Sequence, residues 1–201
     1  MEQRPSEPRR RGRPQAAAAI AHDRVIEAVY GFLQERPLRE LTMDAVAKRA
    51  GVGKPTLYRW WPTRNALLMA MVNERLVLDG DTPSDASAEV KLRRRVERIV
   101  AQYSGTFGRI MAELIGEAQA DLPFRQELFD RQIGLRRHKT IEEIEQGKAN
   151  GEFRDDLDAG LLLDTVFGAI YYRLLLGSAP LDPEFVRLLV EQVLRGARRT
   201  G

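Results

Sequence analysis

Gly51-Val52-Gly53 interrupts a run of helix-forming residues and leaves two pieces, each too short to be stable alone. Before it, Thr42 suits an N-cap, its hydroxyl accepting from a free first-turn amide. Asp44 falls in that first turn, where the helix dipole favours negative charge. Val46, Ala47 and Ala50 form one apolar face. Gly51 supplies the stop, because glycine takes the left-handed conformation cheaply. After the turn, Pro55 suits a helix start, where its missing N–H is no loss. Pro62 closes the segment Thr56-Leu57-Tyr58-Arg59-Trp60-Trp61. Two short helices on a tight glycine turn predict a helix-turn-helix.

Its neighbours are helical as well. A first helix is expected from near Ala16 to about Arg36, with Val25, Ile26, Val29 and Leu33 at helical spacing, ended by Pro37. A fourth opens at Thr63 and carries Leu67, Leu68, Met71, Val72 and Leu76. The turn-rich stretch Asp79–Ser87 marks a boundary. Beyond it only helices are expected, near 87–104, 108–120, 122–149, 157–177 and 183–199. The predicted class is all-α with about nine helices: a disordered basic arm over 1–14, a helix-turn-helix domain over 15–78, and a ligand-binding and dimerisation domain over 79–201.

Charge is unevenly spread. Residues 1–65 hold 13 Lys and Arg against 7 Asp and Glu, and the remaining 136 hold 19 against 22. A basic end on a mildly acidic body predicts a polyanionic partner for that end, although a solvated tail would give the same count. The chain has no cysteine, which excludes disulfides, thiolate metal sites and cysteine nucleophiles. The N-terminal arginines have no apolar stretch behind them, so no signal peptide is expected. Leu161 to Leu176 is apolar but includes Asp164 and Arg173, and is read as too short and too charged to span a bilayer. The expected location is the cytoplasm, at the nucleoid.

In a helix-turn-helix the second helix enters the major groove, its N-terminal residues meeting base edges. Lys54 and Arg59 fit phosphate or guanine; Thr42, Thr56 and Tyr58 offer hydroxyls; Trp60 offers a flat face to a sugar or a thymine methyl, or packs. Leu57 and Trp61 are expected to point inward. Arg64 opens the next helix, whose free amides favour phosphate. A glycine-bearing helical hairpin also occurs in many proteins that bind no nucleic acid.

The stretch Leu41-Thr-Met-Asp-Ala-Val-Ala-Lys-Arg-Ala-Gly-Val-Gly-Lys-Pro-Thr-Leu-Tyr-Arg-Trp-Trp-Pro-Thr-Arg-Asn-Ala-Leu-Leu68 closely resembles the signature of the TetR family. The resemblance runs from about Val25 to Met71. The C-terminal two-thirds agree only in general plan. It implies a dimeric regulator controlled by a small molecule bound in the C-terminal region. By position it implies that Thr42 caps and touches phosphate. Lys54, Thr56, Tyr58 and Trp60 are the implied recognition-helix contacts, and Arg64 takes the usual lysine's phosphate role. Pro37 and Pro55 depart from the common glycine and small residue at their positions.

Arg11-Gly12-Arg13-Pro14 looks like the core of an AT-hook, an arginine arm that lies in a narrow A·T minor groove. A solvated tail is the other reading.

The helix around Leu157–Leu176 is apolar on nearly every side and must be covered all round. With the last helix it is expected to build a two-fold interface through Leu162, Val166, Ile170, Val186, Leu189 and Val193, unless both sit in a monomer core. Tyr103, Phe107, Met111, Phe129, Phe167 and Tyr171, with His138 for polarity, are the candidate pocket residues for an unidentified apolar or aromatic ligand; plain core is the alternative. No catalytic, metal or cofactor site is expected. His22 and His138 lie in different regions, and no phosphate-binding glycine loop follows a strand. The function expected is a repressor on a palindromic operator. A non-sequence-specific architectural DNA binder is the alternative.

Overall fold

The computed structural model describes residues 13–76 and 82–199; Arg11 and the side chain of Arg13 lie outside what it describes. The described residues form ten α-helices and no strand. They are α1 (Arg13–Glu35), α2 (Met43–Ala50), α3 (Lys54–Trp60), α4 (Arg64–Arg75), α5 (Ala88–Tyr103), α6 (Thr106–Ala118), α7 (Leu122–Leu128), α8 (Leu135–Ala149), α9 (Ala159–Leu176) and α10 (Pro183–Ala197). The tenth arises because the span expected as one helix over 122–149 is two, joined by a π-helical turn at Phe129–Gly134. The chain divides into two compact units, one ending at Met71 and one starting at Val72.

In the first unit α1 packs on α2, and α2 on α3. Val25, Val29 and Leu33 of α1, Val46 and Ala47 of α2, Leu57 of α3, and Leu67 and Leu68 of α4 are all buried. Pro37 ends α1 and starts a single 3-10 turn over Leu38–Glu40, whose Leu38 is buried. The local signals act where they fall. Thr42 Oγ1 accepts from Ala45 N at 3.1 Å, and Thr63 Oγ1 accepts from Ala66 N at 3.0 Å. Gly51 sits at φ 64° and ψ 37°, a conformation that would strain any side chain. Arg24 of α1 donates to the carbonyls of Ala50 and Gly51, fixing the turn to α1.

In the second unit α5 is central, packing on α6, α8, α9 and α10. Val96, Ile110, Leu114, Phe153, Leu163, Val166, Ile170 and Leu194 are among its fully buried side chains. Gly147 lets α8 approach the start of α5: an added Cβ would lie 2.7 Å from Ala88 Cβ and 2.9 Å from the Phe153 ring. Arg198 donates two hydrogen bonds to Glu89, at 2.8 and 3.0 Å, tying the end of α10 to the start of α5. Asp158 and Asp182 cap α9 and α10, and Gly177 stops α9 in the left-handed conformation.

Candidate functional site

α3 has two faces. Leu57 and Trp61, four residues apart, are buried. Lys54, Pro55, Tyr58 and Arg59 are exposed, Tyr58 by 46%, while Thr56 and Trp60 are half-buried. Thr42, capping α2, is exposed beside this face. Trp60 meets Trp61 edge-on at 5.6 Å between centroids, and His22 of α1 lies 4.9 Å from the Trp61 ring. This aromatic cluster holds the end of α3 on α1, so Trp60 is partly a packing residue. Lys54 Nζ lies 2.6 Å from Asp44 Oδ2, and that carboxylate raises the lysine pKa above its ordinary value.

Arg64 requires a correction. Expected to reach for phosphate, it is partly buried, with Nε donating to Leu41 O at 3.0 Å and Nη2 to Leu38 O at 2.5 Å. It is a strut between α4 and the segment leading into α2, because one guanidinium can serve both carbonyls, that of Leu38 also accepting from Leu41 N at 3.0 Å.

The second unit encloses a cavity of about 620 Å³. Five of the seven residues expected there line it: Tyr103, Met111, Phe129, Phe167 and Tyr171. Two do not. Phe107 is buried behind the wall, stacked on Tyr103 at 6.1 Å. His138 is exposed on α8, 3.2 Å from Glu142, because it stands two residues from both Arg136 and Thr140, about half a turn round the helix from the side that bears them. Tyr103 donates a hydrogen bond to Tyr171; burial pushes both phenols above their ordinary pKa, and the Arg136 charge pulls both back.

The polar part of the cavity was not anticipated. Arg95 lies in the run Arg93-Arg94-Arg95, which looks like a solvated face, yet it is 6% exposed. Its Nη1 donates to Thr140 Oγ1 at 2.9 Å and to Glu143 Oε2 at 2.7 Å. Arg137 pairs with Asp164 at 2.6 Å and donates to Gly160 O. Apolar residues at i+4 and i+8 from Arg95 (Ile99 and Tyr103) were the signal that this face of α5 turns inward.

Four of the six expected dimer residues also require correction. Leu162, Val166, Ile170 and Val186 are buried inside the chain's own core, and Leu189 and Val193 are half-buried. The opposite side of the same helices is exposed and apolar: Leu161, Tyr172, Leu175 and Leu176 of α9, with Leu188 of α10. α9 is 18 residues long with a mean hydropathy of 1.4, enough by length and composition to cross a membrane; here it packs on α5, α6, α8 and α10.

Two family models match the chain. One, for bacterial regulatory proteins of the tetR family, covers residues 26–71; the other, a tetracyclin repressor-like C-terminal domain, covers residues 82–193. YdeS of Bacillus subtilis, an uncharacterized HTH-type transcriptional regulator, is 31% identical over 196 residues, 96% of each chain. The crystal structure of the TetR family transcription regulator SCO0332 matches with a TM-score of 0.69 and 31% identity, over 88% of this chain and 97% of that one. The regulator FadR of Bacillus subtilis, solved in complex with stearoyl-CoA, shares the fold with a TM-score of 0.73 and 20% identity, over 87% and 98%.

Proposed function

Since the chain belongs to the TetR family and is a DNA-binding transcriptional regulator, we propose that it is a cytoplasmic homodimeric repressor, released from a near-palindromic operator by a small molecule. The observation that carries the DNA reading is the outward face of α3, where Lys54, Tyr58 and Arg59 are exposed over a buried Leu57. Lys54 and Arg59 supply charge to phosphate or guanine, and Thr56 and Tyr58 supply hydroxyls. Thr42 meets phosphate at the start of α2, and Trp60 presents what its cluster leaves uncovered. Arg11 and Arg13 reach an adjacent minor groove.

The dimer reading rests on the exposed side of α9 and α10. Leu161, Tyr172, Leu175 and Leu176, joined by Leu188, are exposed large apolar side chains, and such residues clustered on one face mark an interaction surface. A second copy related by a two-fold axis covers it with itself. Two α3 helices then read half-sites about 34 Å apart, one turn of duplex.

The effector reading rests on the cavity. Its volume and its mixture of aromatic and aliphatic walls with a few polar groups are those of a small-molecule site. FadR, solved with stearoyl-CoA, supports such a role for the fold. A ligand with greater affinity for a dimer whose α3 helices are wrongly spaced releases the operator, to the extent of that difference in affinity.

Selection of genomic fragments by the purified protein, followed by footprinting, tests the reading. A discrete inverted repeat is expected. Uniform coverage of DNA would instead favour the architectural binder.

A further inference from the structure

We infer that the cavity of the second unit takes an organic anion, a carboxylate or similar group on a bulky apolar body, and that α8 presents the cations that recognise it. This rests on the effector reading above and names its ligand class. The cavity walls are chemically unequal. α6, α7 and the π-helical turn contribute Met111, Ile115, Leu128, Phe129 and Ile133, none of which is polar. α5 and α8 contribute Arg95, Arg136, Arg137 and Thr140, with Ile99 and Tyr103 of α5 beside them. The lining thus holds three guanidinium groups and one carboxylate, that of Asp164.

Position along the helices gives the anion an address. Arg136 and Thr140 stand one turn apart on α8, so they share a face. Thr140 meets Arg95, and the charge of Arg136 is felt by both Tyr103 and Tyr171. Two phenols, a hydroxyl and the guanidiniums therefore converge on one side. A guanidinium offers five N–H donors in a planar fork, so Arg95 bound to Glu143 and Arg137 bound to Asp164 still match a carboxylate geometrically. Set against the apolar wall, these donors favour an anion over an ammonium group. The apolar wall opposite holds the rest of the molecule.

The test uses three probes with one chain and different heads: dodecanoate, dodecanol and dodecylammonium, each kept below micelle formation. Displacement of a fluorescent anilinonaphthalene sulfonate from the full-length protein reads their affinities. Dodecanoate is expected to bind at least about tenfold tighter than dodecanol, with dodecylammonium weakest. Arg136→Met should remove most of that preference while leaving dodecanol affinity in place, and Asp164→Asn should enlarge it. Equal affinity for dodecanoate and dodecanol would overturn the inference, as would a preference unchanged in Arg136→Met, or no displacement by any of the three. Operator release is measured alongside. Dodecanoate binding without release leaves the anion site standing and removes the effector role. Release by dodecanol with no preference for dodecanoate does the opposite.

Discussion

Lys54, the first residue of α3, and Asp44, in the first turn of α2, hold each other at 2.6 Å across the glycine turn. Both side chains are 60% exposed, so the pair adds little to stability. Its consequence is for DNA. Lys54 must exchange this carboxylate for a phosphate, and Asp44 repels the same phosphate. Asp44→Asn should therefore tighten binding to random duplex several-fold. Lys54→Ala should weaken binding on all sequences and lower the slope of log affinity against log salt by about 1. Anisotropy titrations over a salt series read both, and an unchanged slope would remove Lys54 from the contact set.

Leu57 and Tyr58 are neighbours with opposite fates. Tyr58→Phe removes one exposed hydroxyl and should weaken operator binding about fivefold with no change in Tm. Leu57→Ala empties a fully buried position and should cost about 2–5 kcal/mol of stability. Thermal melts beside binding curves separate the two. A Tyr58→Phe variant that binds as the parent does would show that the hydroxyl touches nothing.

The exposed stripe on α9 predicts a charge-sensitive dimer. Leu175→Glu combined with Leu176→Glu should yield a folded monomer in sedimentation and abolish operator binding at concentrations where the parent binds. Ile170→Glu, at a buried position on the same helix, should prevent folding instead. A dimer that survives the double substitution would place the interface elsewhere.

Deleting residues 1–13 should weaken operator binding and flatten its salt dependence, since it removes five arginines. The loss should be greatest on operators flanked by A·T pairs. Identical titrations for the two proteins would leave the arm without a role in binding.

Glu89 links stability to pH. Its hydrogen bonds from Arg198 hold its pKa below the ordinary carboxylate value. A depressed folded pKa stabilises above the unfolded pKa, near 4.5, and that contribution is lost as pH falls through the folded value. Glu89→Gln should thus lower Tm by about 2 °C at pH 7, allowing for partial exposure, with the difference shrinking as the pH falls through that lowered value. A gap that persists in acid would make the ion pair irrelevant to it.

The helix-turn-helix was legible because its signals act over three or four residues. Thr42 reaches only as far as Ala45, Gly51 turns only its own backbone, and the alternation of Leu57 with Tyr58 follows from helical periodicity. Arg64 misled because a cation at a helix start looks ready for phosphate, whereas the two carbonyls it serves lie 23 and 26 residues away. The cavity was half legible. Its aromatic residues were found by spacing, but Arg95 stands in one run with Arg93 and Arg94, and only the spacing of Ile99 and Tyr103 sets it apart from them.

The order of the elements, the all-helical class and the outward residues of α3 were therefore set by the sequence alone, through caps, turns and period. Only the tertiary structure decided which side of α9 lies inside. A helix that is apolar all round carries no amphipathic asymmetry to orient it, so the packing of α5, α6, α8 and α10 makes the choice, burying Val166 and Ile170 and leaving Leu161, Leu175 and Leu176 outside. The same packing turns Arg95 inward, because Thr140 and Glu143 on α8 supply the partners without which a buried guanidinium is too costly.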